Sequence, residues 1–122
     1  MSKLLDQLLR PELPDLVADL PAQQVEVKRL SKLLGEKVVF TLHGLPYGRV
    51  QELRRLSEDA EMHVLLAGCP ELSDQALIAK YGVATPDDAV KRLLLPGEIA
   101  DLSRAVERLC GYRQSTIREI KN

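Results

Sequence analysis

A chain of 122 residues is the length of one domain, and its 17 basic against 18 acidic side chains leave a net charge of −1. That balance withholds the sustained positive field that general nucleic-acid or membrane-surface binding requires, and 45% hydrophobic content is too much for a disordered chain. One Phe, three Tyr and no Trp make the core aliphatic and leave few platforms for stacking bases, sugars or flavins.

The chain opens with Leu4, Leu5, Leu8 and Leu9 on one helical stripe between Ser2 and Leu9. Asp6 and Arg10 interrupt these leucines before a signal-peptide core could form, and no apolar run approaches the ~20 residues of a bilayer span. Pro11, Pro14 and Pro21 then mark a linker holding one short helical piece near Asp15–Leu20. Residues 1–24 therefore read as an arm and linker, either mobile or docked on a neighbouring subunit, and residues 25–122 as a single domain.

Strict alternation over Val25–Leu30 predicts a half-buried strand, Ser31–Gly35 a turn, and Lys37–Leu42 a second strand pairing antiparallel with the first. A helix from Pro46 to Leu56 places Val50, Leu53 and Leu56 on one face. For Glu61–Gly68, length and periodicity permit either a third strand or a short helix.

From Pro70 onward the punctuation sharpens. Ser73 caps a helix whose buried side is Ala76, Leu77 and Tyr81, and Gly82 supplies the left-handed stop. Thr85-Pro86-Asp87-Asp88 combines a cap, a first-turn proline and two acidic residues, opening a helix with Ala89, Val90, Leu93 and Leu94 on its apolar face. Pro96 ends it and starts another, spaced Ile99, Leu102, Val106, Leu109 and closed by Gly111. The tail from Arg113 to Asn122 keeps Ile117 and Ile120 as its apolar residues. The fold class is α+β, mainly α: a small antiparallel sheet and a helical C-terminal half.

Little in this chain points to chemistry. His43, His63, Cys69 and Cys110 lack the closely spaced ligand pairs of structural zinc sites, so buried thiols in a reduced, cytosolic compartment are expected, with no metal and no cofactor. Cys110 ends a helix, where the dipole disfavours a thiolate. Glu98 in Pro96-Gly97-Glu98 reads as a carboxylate steadied by a helix N-terminus rather than as a general acid. No catalytic residues are assigned. The helices around Gly82 have a rival reading as a DNA-binding helix-turn-helix regulator. Asp87 and Asp88 at the start of the recognition helix oppose phosphate, and Ile78 stands where a small residue is favoured.

Taken together, Pro70, Leu72, Tyr81-Gly82, Thr85-Pro86, Leu95-Pro96-Gly97-Glu98-Ile99, Leu109, Gly111-Tyr112 and Ile120-Lys121-Asn122, with Val25–Leu34 and Val38–Leu42 before them, resemble the XkdN-like phage tail assembly chaperones. The resemblance implies a protein of a phage or prophage, working in the bacterial host's cytoplasm and absent from the mature virion. Its partner would be the tape measure protein, kept soluble during tail assembly, with the tail tube protein and further copies of itself as additional contacts and no nucleic acid or membrane. It also implies a longer form made by frameshifting near Ile120-Lys121-Asn122. An aliphatic groove among the last helices would serve that task. Its candidate contacts are Leu94, Leu95, Ile99, Leu102 and Tyr112.

Overall fold

A computed structural model describes residues 2–16, 19–56, 58–112 and 114–120. Among them, seven α-helices surround one two-stranded antiparallel sheet, an α+β architecture dominated by helix. The chain runs α1 (Lys3–Leu8), β1 (Ala22–Glu26), α2 (Lys28–Leu34), β2 (Val39–His43), α3 (Arg49–Leu56) and α4 (Ala60–Gly68). A 3₁₀ turn (Pro70–Ser73), α5 (Gln75–Tyr81), α6 (Pro86–Leu93) and α7 (Pro96–Leu109) follow.

The sheet is antiparallel, but its first strand lies earlier than the alternation predicts. Ala22 stands opposite His43 and Glu26 opposite Val39, so Ala-Gln-Gln, poor strand formers, are recruited by pairing with a β-branched partner strand. Val27 donates to the Val38 carbonyl at 3.3 Å and is the last paired residue. The segment from Lys28 is then a helix rather than the rest of the strand. Leu30, Leu33 and Leu34 follow helical spacing there, and Gly35 ends it at φ 74°. The Ser31 hydroxyl accepts from Val38 N at 2.8 Å and ties this helix to the start of β2.

The segment from Glu61 to Gly68 is helical. Met62, Val64, Leu65 and Gly68 are buried and Leu66 and Ala67 half-buried, so α4 is apolar around much of its girth. A helix enclosed on several sides carries no narrow stripe, which is why periodicity does not separate it from a strand. It packs on α7, α3, α6 and the 3₁₀ turn. Around it Leu42, Val90, Val106 and Cys69 complete the most deeply buried layer. Gly68 brings α4 against α7: a Cβ there would stand 2.5 and 2.7 Å from the two Val106 methyls and 3.1 Å from the His43 carbonyl oxygen.

Local punctuation places most remaining boundaries. The Thr85 hydroxyl accepts from Asp88 N at 3.2 Å, Pro86 and Pro96 open their helices, and Gly82 adopts φ 63°. The cap of α5 is Asp74, whose Oδ1 accepts from Ala76 N at 2.8 Å; Ser73 belongs instead to the 3₁₀ turn begun by Pro70. Pro46 lies in a turn closed by Arg49 N to Pro46 O, and Gly48 at φ 79° keeps α3 from starting before Arg49. Val50 is buried and Leu53 half-buried, while the side chain of Leu56 lies outside the described residues. The helical piece expected near Asp15–Leu20 centres on Val17 and Ala18, also outside them. No helix among the described residues is long and apolar enough to cross a membrane.

Two polar details carry measurable consequences. The Ser103 hydroxyl is buried on α7 and has no hydrogen-bond partner among the described residues. Ser103→Ala is expected to raise stability by about 1 kcal/mol in denaturant titration, because the variant sheds an uncompensated desolvation. Arg29 on α2 reaches across to α7. Its Nε and Nη2 donate to the Glu98 carboxylate at 2.9–3.2 Å, and Nη2 also donates to the Leu93 carbonyl at 2.8 Å. Glu98 in turn accepts from Leu95 N at 2.7 Å, closing the first turn of α7.

The Arg29 hydrogen bonds, aided by the Leu95 amide, hold the Glu98 carboxyl below its ordinary value, although partial burial opposes them. A carboxylate depressed in the folded state contributes stability above the unfolded value of about 4.3 and loses it as pH falls through the folded value. The stability gap between the native chain and Glu98→Gln is therefore expected to narrow as pH drops from about 5 toward 2. A gap unchanged across that range would show that Arg29 does not govern the carboxyl.

Candidate docking surface

After β2 the chain leaves through Gly44-Leu45-Pro46-Tyr47-Gly48 and enters α3 at Arg49. Gly44 N donates to the Pro21 carbonyl at 2.7 Å, which brings the end of the arm beside this loop. Leu45 N donates to Cys110 Sγ at 3.2 Å and fastens the loop to the end of α7. Gly111 then turns at φ 91°, and Tyr112 N donates to the Glu107 carbonyl. Between these segments lies an open, mainly apolar groove of about 380 Å³, walled by Leu20, Leu45, Tyr47, Val50, Leu109 and Tyr112. The volume falls in the range of about 300–1,000 Å³ typical of concave binding sites. Tyr47 stands fully exposed at its rim, and Tyr112 is 37% exposed.

Charge beside the groove is arranged around a buried carboxylate. Glu107 on α7 is buried and accepts from the Arg54 guanidinium of α3. That hydrogen bond, with the Glu107 charge, holds the Arg54 pKa above its ordinary value against the opposing effect of burial. Burial, with Glu71 nearby, pushes the Cys69 thiol up, which suppresses its nucleophilic thiolate form. Cys110 is half-buried in the groove wall. Among the described residues, no three of His, Cys, Asp and Glu converge as metal ligands.

The five contacts expected from sequence do not form one surface. Leu94, Ile99 and Leu102 are buried in the core, while Leu95 is 52% exposed. Leu94 and Ile99 border a hollow with Met62 and Pro96. Leu102 borders a different one with Val25, Arg29 and Glu98, and Tyr112 alone lines the groove described above. Tyr47 and Leu45 escaped the sequence reading because they lie in a loop with no periodicity. Their only signal is an aromatic residue flanked by Pro46 and Gly48 at a strand-to-helix connection.

A second apolar surface is the arm itself. Leu4, Leu5, Leu8, Leu9 and Leu13 are each between 48% and 68% exposed, and α1 has no buried residue. On the helix pair with the rival DNA-binding reading, the first turn of α6 holds Asp87 and Asp88, and Asp87 Oδ2 lies 3.0 Å from His63 Nε2. This first turn offers negative charge where a phosphate backbone would approach.

The fold is similar to the crystal structure of the protein yqbn, with a TM-score of 0.57 and 22% identity, over 83% of this chain and 99% of that one. No curated protein matches the chain. Residues 57–121, from just before α4 into the tail, match the model of the phage XkdN-like tail assembly chaperone proteins. That stretch is more than half of the chain and holds α4 through α7, so the chain belongs to the phage XkdN-like tail assembly chaperone family.

Proposed function

We propose that this chain holds an apolar helical segment of the phage tape measure protein soluble in the host cytoplasm while the tail is assembled, without making or breaking bonds. Family membership is the observation that carries this reading. The uncovered apolar surface gives it a physical basis. A client helix laying leucines at i, i+3 and i+4 into the groove beside Tyr47 and Tyr112 removes them from water, at about 1.5–3 kcal/mol for each side chain fully buried. Leu95, 52% exposed at the other end of α7, offers a separate apolar contact. The chaperone departs before the tail is complete, since it serves the client only until the tail tube covers it.

Co-expression with the tape measure gene of the same phage tests the reading. The native chain is expected to move the tape measure protein from the pellet to the soluble fraction. Tyr47→Asp with Tyr112→Asp, both at exposed positions, is expected to lose that effect while keeping the native circular dichroism. A tape measure protein whose solubility ignores the native chain would overturn the assignment.

A further inference from the structure

We propose that the C-terminal tail folds back along the open edge of β1 as a third strand, parallel to it, and roofs the hollow between β1 and α7 of its own chain. This pairing involves neither the groove beside Tyr47 nor a client.

Register fixes which groups the edge presents. Gly44 N donates to the Pro21 carbonyl at 2.7 Å and Val27 N to the Val38 carbonyl at 3.3 Å, and between them Gln23 and Val25 stand opposite Leu42 and Phe40. Main-chain groups point alternately to the two sides of a strand, so Gln23, Val25 and Val27 turn theirs to β2. Ala22, Gln24 and Glu26 turn theirs outward, where no described residue bonds them. The far edge of β2 is closed instead by α4, with the His43 carbonyl against Gly68. Two strands alone make a marginal sheet, and an open edge is a template for another strand. α7 packs against β2, and between it and β1 lies a hollow of about 480 Å³, floored by Leu102 and Ala105 and bordered by Val25, Val27 and Arg108.

The tail has the position, length and composition to close that edge. Gln114 Nε2 donates to the Arg108 carbonyl at 2.9 Å, so the tail leaves α7 on the side of the hollow. α7 runs opposite to β1: near its start Glu98 holds Arg29, just past the end of β1, and at its end Cys110 holds Leu45, beside the beginning of β1. A tail doubling back along α7 therefore runs parallel to β1. As a strand Ser115–Ile120 covers about 20 Å, enough for the five residues of β1. Thr116, Ile117 and Ile120 favour strand, and the stretch has neither Gly nor Pro. Residues 114–120 are exposed throughout, Ile117 at 87%. From Gln114, three residues of strand advance about 10 Å, the length of about six or seven residues of helix, which brings Ile117 level with Leu102. With Ile117 beside Val25, its side chain enters the hollow and Arg118 lies on the opposite face beside Glu26. Ile117 N then donates to the Gln24 carbonyl and Glu119 N to the Glu26 carbonyl, while the Ser115 and Ile117 carbonyls accept from Gln24 N and Glu26 N. A slip of one residue would put Arg118 over the hollow and Ile117 in water, so this register is the favoured one.

Amide exchange followed by NMR on the full chain tests the pairing. The amides of Gln24, Glu26, Ile117 and Glu119 are expected to exchange at least about tenfold more slowly in the native chain than in Ile117→Asp. Those of Gln23 and Val25, already held by β2, should stay protected in both. Circular dichroism should keep its native form, because Ile117 stands in solvent when the tail is open. Ile117→Val, still apolar and β-branched, is expected to retain the protection. Tail amides that exchange alike in the native chain and Ile117→Asp would overturn the proposal. So would protection that grows with protein concentration, the mark of a tail pairing with another copy. Tape measure solubility reads the client function separately, so failure of either leaves the other standing.

Discussion

Replacing Leu65 with alanine is expected to remove about 4 kcal/mol of folding stability, a large part of the 5–15 kcal/mol such a domain possesses. Leu65 has no exposed surface and sits on α4, which is gripped by α7, α3, α6 and the 3₁₀ turn. A cavity opened there is walled by helices that are themselves pinned, so it collapses little, and the cost lies toward the upper end for leucine truncations. Thermal unfolding should move down by roughly 15 °C. Leu5→Ala removes the same atoms from the exposed face of α1 and is expected to change the stability of an isolated copy by less than about 0.5 kcal/mol. Urea titrations of the two variants with equal slopes check the contrast; a Leu65→Ala loss below 1 kcal/mol would mean that α4 is not the centre of the core.

Gly68→Ala is expected to destabilise by about 2–3 kcal/mol, although alanine is the better helix former by about 1 kcal/mol. The sign is decided by space. The added methyl would meet both Val106 methyls below 3.0 Å and the His43 carbonyl at 3.1 Å, and Val106 is fully buried with nowhere to turn. Relief must come from spreading α4 away from α7, which loosens the largest helix contact of the fold. Val106→Ala alone opens a cavity and costs about 1–2 kcal/mol. In the double variant the new methyl occupies part of that cavity, so the combined loss should fall short of the sum by at least about 1 kcal/mol. Strictly additive losses would show that the two positions do not touch.

The features that sequence displays well here are those written within one or two turns of chain. Thr85-Pro86, Pro96, Gly82 and the arm's leucine stripe each specify their own backbone geometry, and the structure places a cap, a start, a stop and a helix at them. Where a neighbour decides, the reading fails. Ala22–Gln24 become strand because β2 lies alongside, and Lys28–Leu34 fold as a helix once Val27 leaves the ladder. The Arg29–Glu98 pair joins positions 69 residues apart, and no local pattern announces it. The candidate docking surface is the least legible part for a related reason. Helical spacing marks what a helix hides, so Leu94, Ile99 and Leu102 were conspicuous because they belong inside. Exposed apolar residues such as Tyr47 break the pattern and carry no periodic mark.

The enclosure of α4 has a temporal side. It emerges from the ribosome well before α7, its principal cover, and at about 5–20 residues per second the interval is a few seconds. During that time a helix apolar on several sides has only α3, α6 and the 3₁₀ turn among its helical neighbours to lean against. Chains released before Pro96 are left with that helix open and will clump, whereas completion of α7 seals the nascent molecule in one late step.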